Sequence, residues 1–229
     1  MIPFLFDPTI IIIIPVLLLA GYAQYRVKHT FNKYNEINLS SNLTGAEAAK
    51  KILLNNNLEN IEIKKTDGKL NDHYDPQAKT LNLSNDVYSN NSIAAVGVAA
   101  HEVGHAIQDK EDYRPLSLRA SLVPAANIGS SFGLPLAVFG FFIRADFLIM
   151  TGFVLFSAAF LFHLVTLPVE FNASNRAISN LKNTALLTES EIKGAKKVLK
   201  AAAFTYVATT LVALANMLRI LLLAGMGDD

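Results

Sequence analysis

Four long apolar runs are separated by polar segments along the chain. They are Thr9 to Tyr25, Leu122 to Ile143, Phe147 to Leu167 and Ala201 to Ala224. Each approaches the ~20 apolar residues that a helix needs to cross a bilayer. The first holds five consecutive isoleucines from Ile10. No basic segment precedes it and no clear small-residue cleavage site follows, so it reads as a retained span rather than a signal peptide. The second carries Asn127, Ser130, Ser131, Pro124 and Pro135. It is expected to pack against other helices rather than lipid; taken alone, it would also suit a buried hairpin of a soluble protein.

Shorter periods fill the polar segments. Thr44-Gly45-Ala46-Glu47 is a capping box that opens an amphipathic helix to about Leu54, and Asn55-Asn56-Asn57 ends it. Ile61-Glu62-Ile63, Leu70 to Tyr74 and Thr80 to Leu83 read as strands. They are divided by turn signals at Asp67-Gly68 and Asp75-Pro76. A small antiparallel sheet is therefore expected ahead of a helix from Ser92 to Gln108, with Ser92 as its N-cap. Asp109 to Arg119 is charged and turn-rich. Past the third run, Val169 to Ala177 predicts a helix. Thr188-Glu189-Ser190-Glu191 is a second capping box, opening a long helix that begins basic and becomes the last apolar run.

These patterns divide the chain into a first span (1–26), a segment with sheet and helix (27–120), an apolar hairpin (121–167), a further polar segment (168–200) and a last span with a short tail (201–229). The fold class expected is a mainly α membrane protein: four transmembrane helices and a small α+β domain with a short antiparallel sheet. Composition agrees, with 52% hydrophobic residues. A net charge of +1 gives no electrostatic case for a nucleic-acid partner. There is no cysteine, which excludes disulfides, thiolate ligands and a cysteine nucleophile.

Charge also orients the spans. Lys and Arg concentrate in Arg26 to Arg119 and in Pro168 to Lys200, whereas the Arg144-Ala145-Asp146 turn and both ends hold few. Four spans put the two basic segments on one side, and the positive-inside rule makes that side cytoplasmic. Both termini are then outside.

The candidate chemistry lies in His101-Glu102-Val103-Gly104-His105, an H-E-x-x-H within the Ser92–Gln108 helix. Two histidines four apart lie on one helical face and can hold one zinc ion. The carboxylate between them can act as a general base, the arrangement of metalloproteases, so segment 27–120 is expected to be catalytic and its small α+β domain zincin-like. Gly97 and Gly104 weaken a helix, and close approach of a neighbouring element would explain them.

Catalytic zinc takes three protein ligands and leaves one position open. His29, His73 and several acids remain as candidates for the third; His163 falls inside the third apolar run. Glu170 stands out, because an acid between Val169 and Phe171 at the exit of that run is poorly placed for a solvated surface. An oxyanion donor is not identified by pattern; His73, Tyr74 and Arg176 are the accessory candidates.

Several stretches together carry a wider resemblance. They are Leu43-Thr44-Gly45-Ala46-Glu47, Asp72-His73-Tyr74-Asp75-Pro76, Ala99 to Gln108, and Leu167 to Ser174. The chain resembles the YugP-like neutral zinc metallopeptidases of bacterial membranes over nearly its whole length. That family looks distantly similar to the HtpX-type membrane proteases, which use two histidines and a downstream glutamate. The resemblance implies His101, His105 and Glu170 as ligands of one Zn²⁺ per chain and Glu102 as base. One departure is Asn172, where the family usually has Asp; if that Asp orients a ligand, an amide there can still hydrogen-bond, without the charge.

The expected activity is peptide-bond hydrolysis by a zinc-activated water, at the cytoplasmic surface of a bacterial plasma membrane. The expected partners are a peptide or membrane-protein substrate and the lipid bilayer. Two rival readings differ in class. One is a membrane scaffold or chaperone-like protein that keeps a zinc site without turnover. The other is an intramembrane site-two-type protease, against which the charges at Asp109 to Asp112 count, since they close the helix early.

Overall fold

The computed structural model describes residues 8–68 and 71–227. Leu70, where the second strand was expected to begin, and both chain ends lie outside that range. Two compact units emerge. One comprises the apolar segments up to Gln24, Ser117–Pro168 and from Thr205; the other comprises Tyr25–Leu116 and Val169–Phe204.

Three long helices each contribute residues to both units, as does the first turn of a fourth. α1 covers Ile13–Asn35 after a 3₁₀ turn at Pro8–Ile12. α7 covers Asp146–Asn183 and α8 covers Glu189–Gly227. In the apolar unit, α5 (Arg114–Ile128), a π turn (Gly129–Gly133) and α6 (Leu134–Phe142) form one helical stretch. Glycines let it meet α7 backbone to backbone: a Cβ on Gly129 would lie 2.1 Å from the Leu155 carbonyl oxygen. Small residues at such contacts are how helices pack where water supplies no driving force. Among the described residues, four helical stretches are long and apolar enough to cross a membrane.

The second unit carries the polar chemistry. α2 (Gly45–Asn55) is capped as the sequence predicts: Thr44 Oγ1 accepts from the Glu47 N–H, and the Glu47 carboxylate accepts from the Thr44 N–H. Asn57 takes a positive φ of 51° just past its end, a conformation that asparagine tolerates. Strands β1 (Glu62–Thr66), β2 (His73–Asp75) and β3 (Thr80–Ser84) follow. Then come α3 (Asn85–Tyr88) and α4 (Ile93–Lys110), which Ser92 caps through the Ala95 N–H.

The sheet corrects the sequence reading. It is mixed, not antiparallel: the order is β1-β3-β2, with β1 parallel to β3 and only β2 antiparallel. Burial explains the order. Leu81 and Leu83 of β3 are fully buried, so β3 takes the centre, and the lysine-bearing β1 takes an edge, as charged strands do. The Asp67-Gly68 signal marks a turn but not a hairpin between neighbours. A second difference concerns α7, which continues through Pro168 into the region expected to be a separate helix. One proline removes one backbone bond, and an otherwise strong helix accommodates it.

The core of this unit joins Ile52 and Leu53 of α2, Leu81 and Leu83 of β3, Val96 and Val103 of α4, and Ala177 and Leu181 of α7. On α7, Val169, Ala173, Ala177 and Leu181 recur every four residues and are all buried. That apolar stripe fixes which face of α7 turns to α4.

Candidate metal centre

α4 presents His101 and His105 from one face, their rings edge to face with centroids 4.8 Å apart. Gly104 lies between them, and here α7 approaches: a Cβ on Gly104 would sit 2.5 Å from the Ala173 carbonyl oxygen. A glycine in mid-helix is therefore explained at this position. At Gly97 an added Cβ would meet Ala195 alone, its Cβ at 3.4 Å, Cα at 3.6 Å and carbonyl oxygen at 4.0 Å; these are ordinary contacts, so no clash requires the glycine.

The approach at Gly104 and Ala173 brings Glu170 onto both imidazoles. Its Oε2 lies 3.2 Å from Nε2 of His101 and 3.7 Å from Nε2 of His105. One ligand atom from each of the three residues lies within 4.8 Å of the others. Tetrahedral zinc, with bonds of about 2.0–2.1 Å to nitrogen and oxygen, sets its donors roughly 3.4 Å apart. The two observed spacings bracket that distance. Two imidazole nitrogens and one carboxylate are also donors that zinc accepts, and three protein ligands leave its fourth position free. The residues fit the metal.

Electrostatics supports the same grouping. Burial alone would raise the Glu170 carboxyl, but bonds from the two histidines outweigh it and hold the group well below the usual carboxylate range. Glu170 is thus an anion inside the protein, with only 3% of its side chain exposed. Burial would lower His105, yet Glu170 and Glu102 together raise it. Glu102 is also buried. Burial pushes its carboxyl up, the nearby histidines pull it down, and Glu170 and Asp72 push it up again, with a net upward shift. A carboxylate held above its ordinary value is a better proton acceptor.

Further polar groups hold the imidazoles. His105 Nδ1–H donates to Gln108 Oε1 at 3.0 Å. Gln108 is fully buried, and its Nε2 donates to the Val169 carbonyl at 2.8 Å and to Asn172 Oδ1 at 2.9 Å. Asn172 Oδ1 also accepts from Arg176 Nε at 2.7 Å, and Arg176 pairs with Glu111. Ser174 Oγ lies 3.2 Å from Nδ1 of His101. Each Nδ1 therefore has a partner, leaving each Nε2 directed at Glu170. This is how outer groups fix the tautomer and ring orientation of a ligand histidine.

Of the accessory candidates, Asn172 and Arg176 belong to this network. Neither His73 nor Tyr74 is among the clustered ligand atoms. His73 is exposed, its ring nitrogens facing the Asn71 carbonyl and Asn82 Nδ2. The Tyr74 hydroxyl donates to Asp109 Oδ2 at 2.7 Å, an oxygen that also takes Lys79 Nζ. Burial and that carboxylate push the phenol above its usual range. His29 stacks on Tyr25 in α1. Sequence reasoning missed Gln108, Ser174 and Asp72. Gln108 had a readable signal, three residues after His105 on the same helical face. Asp72 accepts from the Ser84 N–H and hydroxyl at the end of β3; nothing local in the sequence indicates its influence on Glu102.

Comparison with known proteins points the same way. No solved structure matches the chain. The chain is 43% identical over 220 residues to the "Putative membrane protease YugP" of Bacillus subtilis (strain 168), covering 96% of this chain and 98% of that one. The model of one sequence family, described as "Putative neutral zinc metallopeptidase", matches residues 9–225. With a match of that extent, on a chain whose H-E-x-x-H histidines meet a buried glutamate, the protein belongs to this neutral zinc metallopeptidase family and is a hydrolase of that kind.

Proposed function

We propose that the protein is a membrane-bound zinc metalloendopeptidase in which His101, His105 and Glu170 hold one zinc ion and Glu102 is the general base. The observation that carries this reading is the meeting of three donor atoms within 4.8 Å beside a buried carboxylate one residue from the first ligand. Zinc in that position would supply Lewis acidity towards a peptide carbonyl and lower the pKa of water towards ~7.

The chain's own groups supply the rest. Nδ1 of His105 is held by Gln108 and Nδ1 of His101 by Ser174, so both Nε2 lone pairs can face one point. The Glu102 carboxylate takes one proton from the water that adds to the peptide carbonyl. It then returns a proton to the departing amine nitrogen, so that one water is consumed and an acid and an amine are released.

The same proposal includes topology. The four apolar helices cross the membrane, the basic segments face the cytoplasm, and the termini face outward. Glu170 follows the apolar part of α7 by only three residues, counting from Leu167, so substrates would be membrane proteins or peptides close to the bilayer.

Zinc content and peptidase activity of the detergent-purified full chain test the proposal, with wild type beside Glu170→Ala and Glu102→Gln. About one zinc per chain is expected in wild type and Glu102→Gln, and strong loss in Glu170→Ala. Activity is expected in wild type alone. Full zinc in Glu170→Ala would remove Glu170 from the ligand set, and full activity in Glu102→Gln would remove Glu102 as base.

A further inference from the structure

The polar unit carries a concave site built from cations, whose lining shares no residue with the His101, His105 and Glu170 group. Arg26, His29, Thr30, Lys33 and Tyr34 of α1 line it on one side, and Lys197 and Lys200 of α8 line it on the other. Its volume is about 330 Å³, at the small end of the roughly 300–1,000 Å³ typical of ligand sites. Four permanent cations and a histidine thus converge on one cavity that also offers two hydroxyls. Among the described residues, none of the four cations is paired with an acid within 4.0 Å, whereas Lys64, Lys79 and Arg176 elsewhere in this unit are.

The walls of the site are fixed. Gly194 of α8 packs on the Tyr34 ring, where an added Cβ would come within 2.9 Å of the ring. The Arg26 guanidinium lies over the Phe204 ring, 5.4 Å from its centroid. α1 and α8 are therefore held together on both sides of the cavity while its charges stay unneutralised. Solvated cations that only orient a span need no shared concavity, and self-repulsion among them has a cost. An anion in the cavity would relieve that repulsion. Arginine and lysine heads beside hydroxyl donors match the oxygens of a phosphate group. A carboxylate would engage fewer of them.

Position along the helices indicates the source. Arg26 follows the apolar run of α1 in the same helix, and Lys200 immediately precedes the apolar run of α8. Cations just beyond the apolar runs of two adjoining helices are where anionic headgroups bind. We propose that this cavity binds a phosphate-bearing anion, supplied in the cell by the headgroup of an anionic phospholipid. The choice of lipid rests on the membrane reading given under Proposed function; the phosphate site itself does not.

The test uses the full chain in a neutral detergent, titrated with phosphatidylglycerol or phosphatidylcholine and read by native mass spectrometry. The probe variant is Lys33→Gln/Lys197→Gln/Lys200→Gln. The control is Lys50→Gln/Lys193→Gln/Lys196→Gln, which removes the same charge from exposed positions outside the cavity. All six lysines are exposed, so both variants keep the fold. Roughly five-fold per cation predicts phosphatidylglycerol binding about a hundred-fold weaker in the probe variant and little changed in the control. Equal binding by probe variant and wild type, or equal weakening in the control, overturns the proposal. If wild type does not prefer phosphatidylglycerol, the same panel is titrated with sn-glycerol 3-phosphate. Binding lost only in the probe variant then keeps the phosphate site with a soluble source, and no binding overturns it. Carbonate extraction of cell membranes reads the membrane reading separately: release of wild type would sink that reading without altering either titration.

Discussion

The opposite consequences expected at two glycines of α4 offer the sharpest test of how the centre is built. In an isolated helix, alanine is favoured over glycine by about 1 kcal/mol, so Gly97→Ala and Gly104→Ala should look alike by local propensity. The structure separates them. At Gly97 the new methyl meets Ala195 Cβ at 3.4 Å, an ordinary contact, and the propensity gain is kept. At Gly104 it meets the Ala173 carbonyl oxygen at 2.5 Å. Relief to normal contact requires the α4 and α7 backbones to part by roughly 0.9 Å. Overpacking of this kind costs about 1–3 kcal/mol, which more than offsets the gain. The site is more sensitive still. Glu170 sits on α7 three residues from Ala173, and metal sites tolerate donor shifts of only about ±0.2 Å. The expected result is a Gly97→Ala protein with a Tm raised by a few degrees and full zinc, beside a Gly104→Ala protein that loses zinc affinity by at least about a hundred-fold. Thermal melting in detergent and zinc competition against a chelator measure both. Wild-type zinc affinity in Gly104→Ala would refute the claim that close contact of these helices positions the third ligand.

Four further outcomes follow from the same geometry. Gln108→Leu removes the acceptor of His105 Nδ1–H and should weaken zinc binding by about 10–100-fold, whereas Gln108→Glu, which keeps the acceptor, should retain most of it; chelator competition distinguishes them. Glu102→Gln should keep zinc while cutting turnover by about 10²–10⁴-fold, read as metal content beside peptide cleavage. Asn172→Asp preserves an acceptor for Gln108 and Arg176, so zinc content should stay at the wild-type level, and a clear loss would show that the neutral amide is required. Glu191 accepts from Ser40 and from Thr188; burial opposes its ionisation, but these bonds prevail and lower its pKa. Its stabilisation is therefore present above the ordinary carboxylate value and fades as pH falls through the lowered one, so the Tm gap between wild type and Glu191→Gln should narrow as pH falls below the ordinary carboxylate range.

What was legible in the sequence was mostly local. The Thr44 and Thr188 boxes, the Ser92 cap and the two histidines one turn apart depend on residues three or four apart, and all form as read. The apolar runs were legible because their period and length exceed what a short core helix needs. The strand order was not, because β1 and β3 pair across an intervening strand, and a turn signal such as Asp67-Gly68 cannot say which strand follows it into the neighbouring position. The continuity of α7 was hidden for a related reason. Pro168 is a local stop signal, and the packing of Ala177 and Leu181 on the core, with Val169 and Ala173 buried on the same face, overrides it.

The proposed third ligand shows where such reading gains purchase over distance. Glu170 is 69 residues from His101, and no spacing rule links them. What marked it was an energetic inconsistency: an acid among apolar neighbours must be neutralised or paired. The structure resolves this with two imidazoles, and the same pairing makes the residue a candidate ligand. Gln108 presents the same inconsistency more quietly, since a buried amide needs partners for both its ends. It finds them in His105 on one side and in Val169 and Asn172 on the other, linking one histidine of α4 to the α7 turn that carries Glu170. A buried polar residue on the histidine face of an H-E-x-x-H helix is therefore a signal that sequence can supply, and its partner across the fold is where the third ligand's helix should be sought.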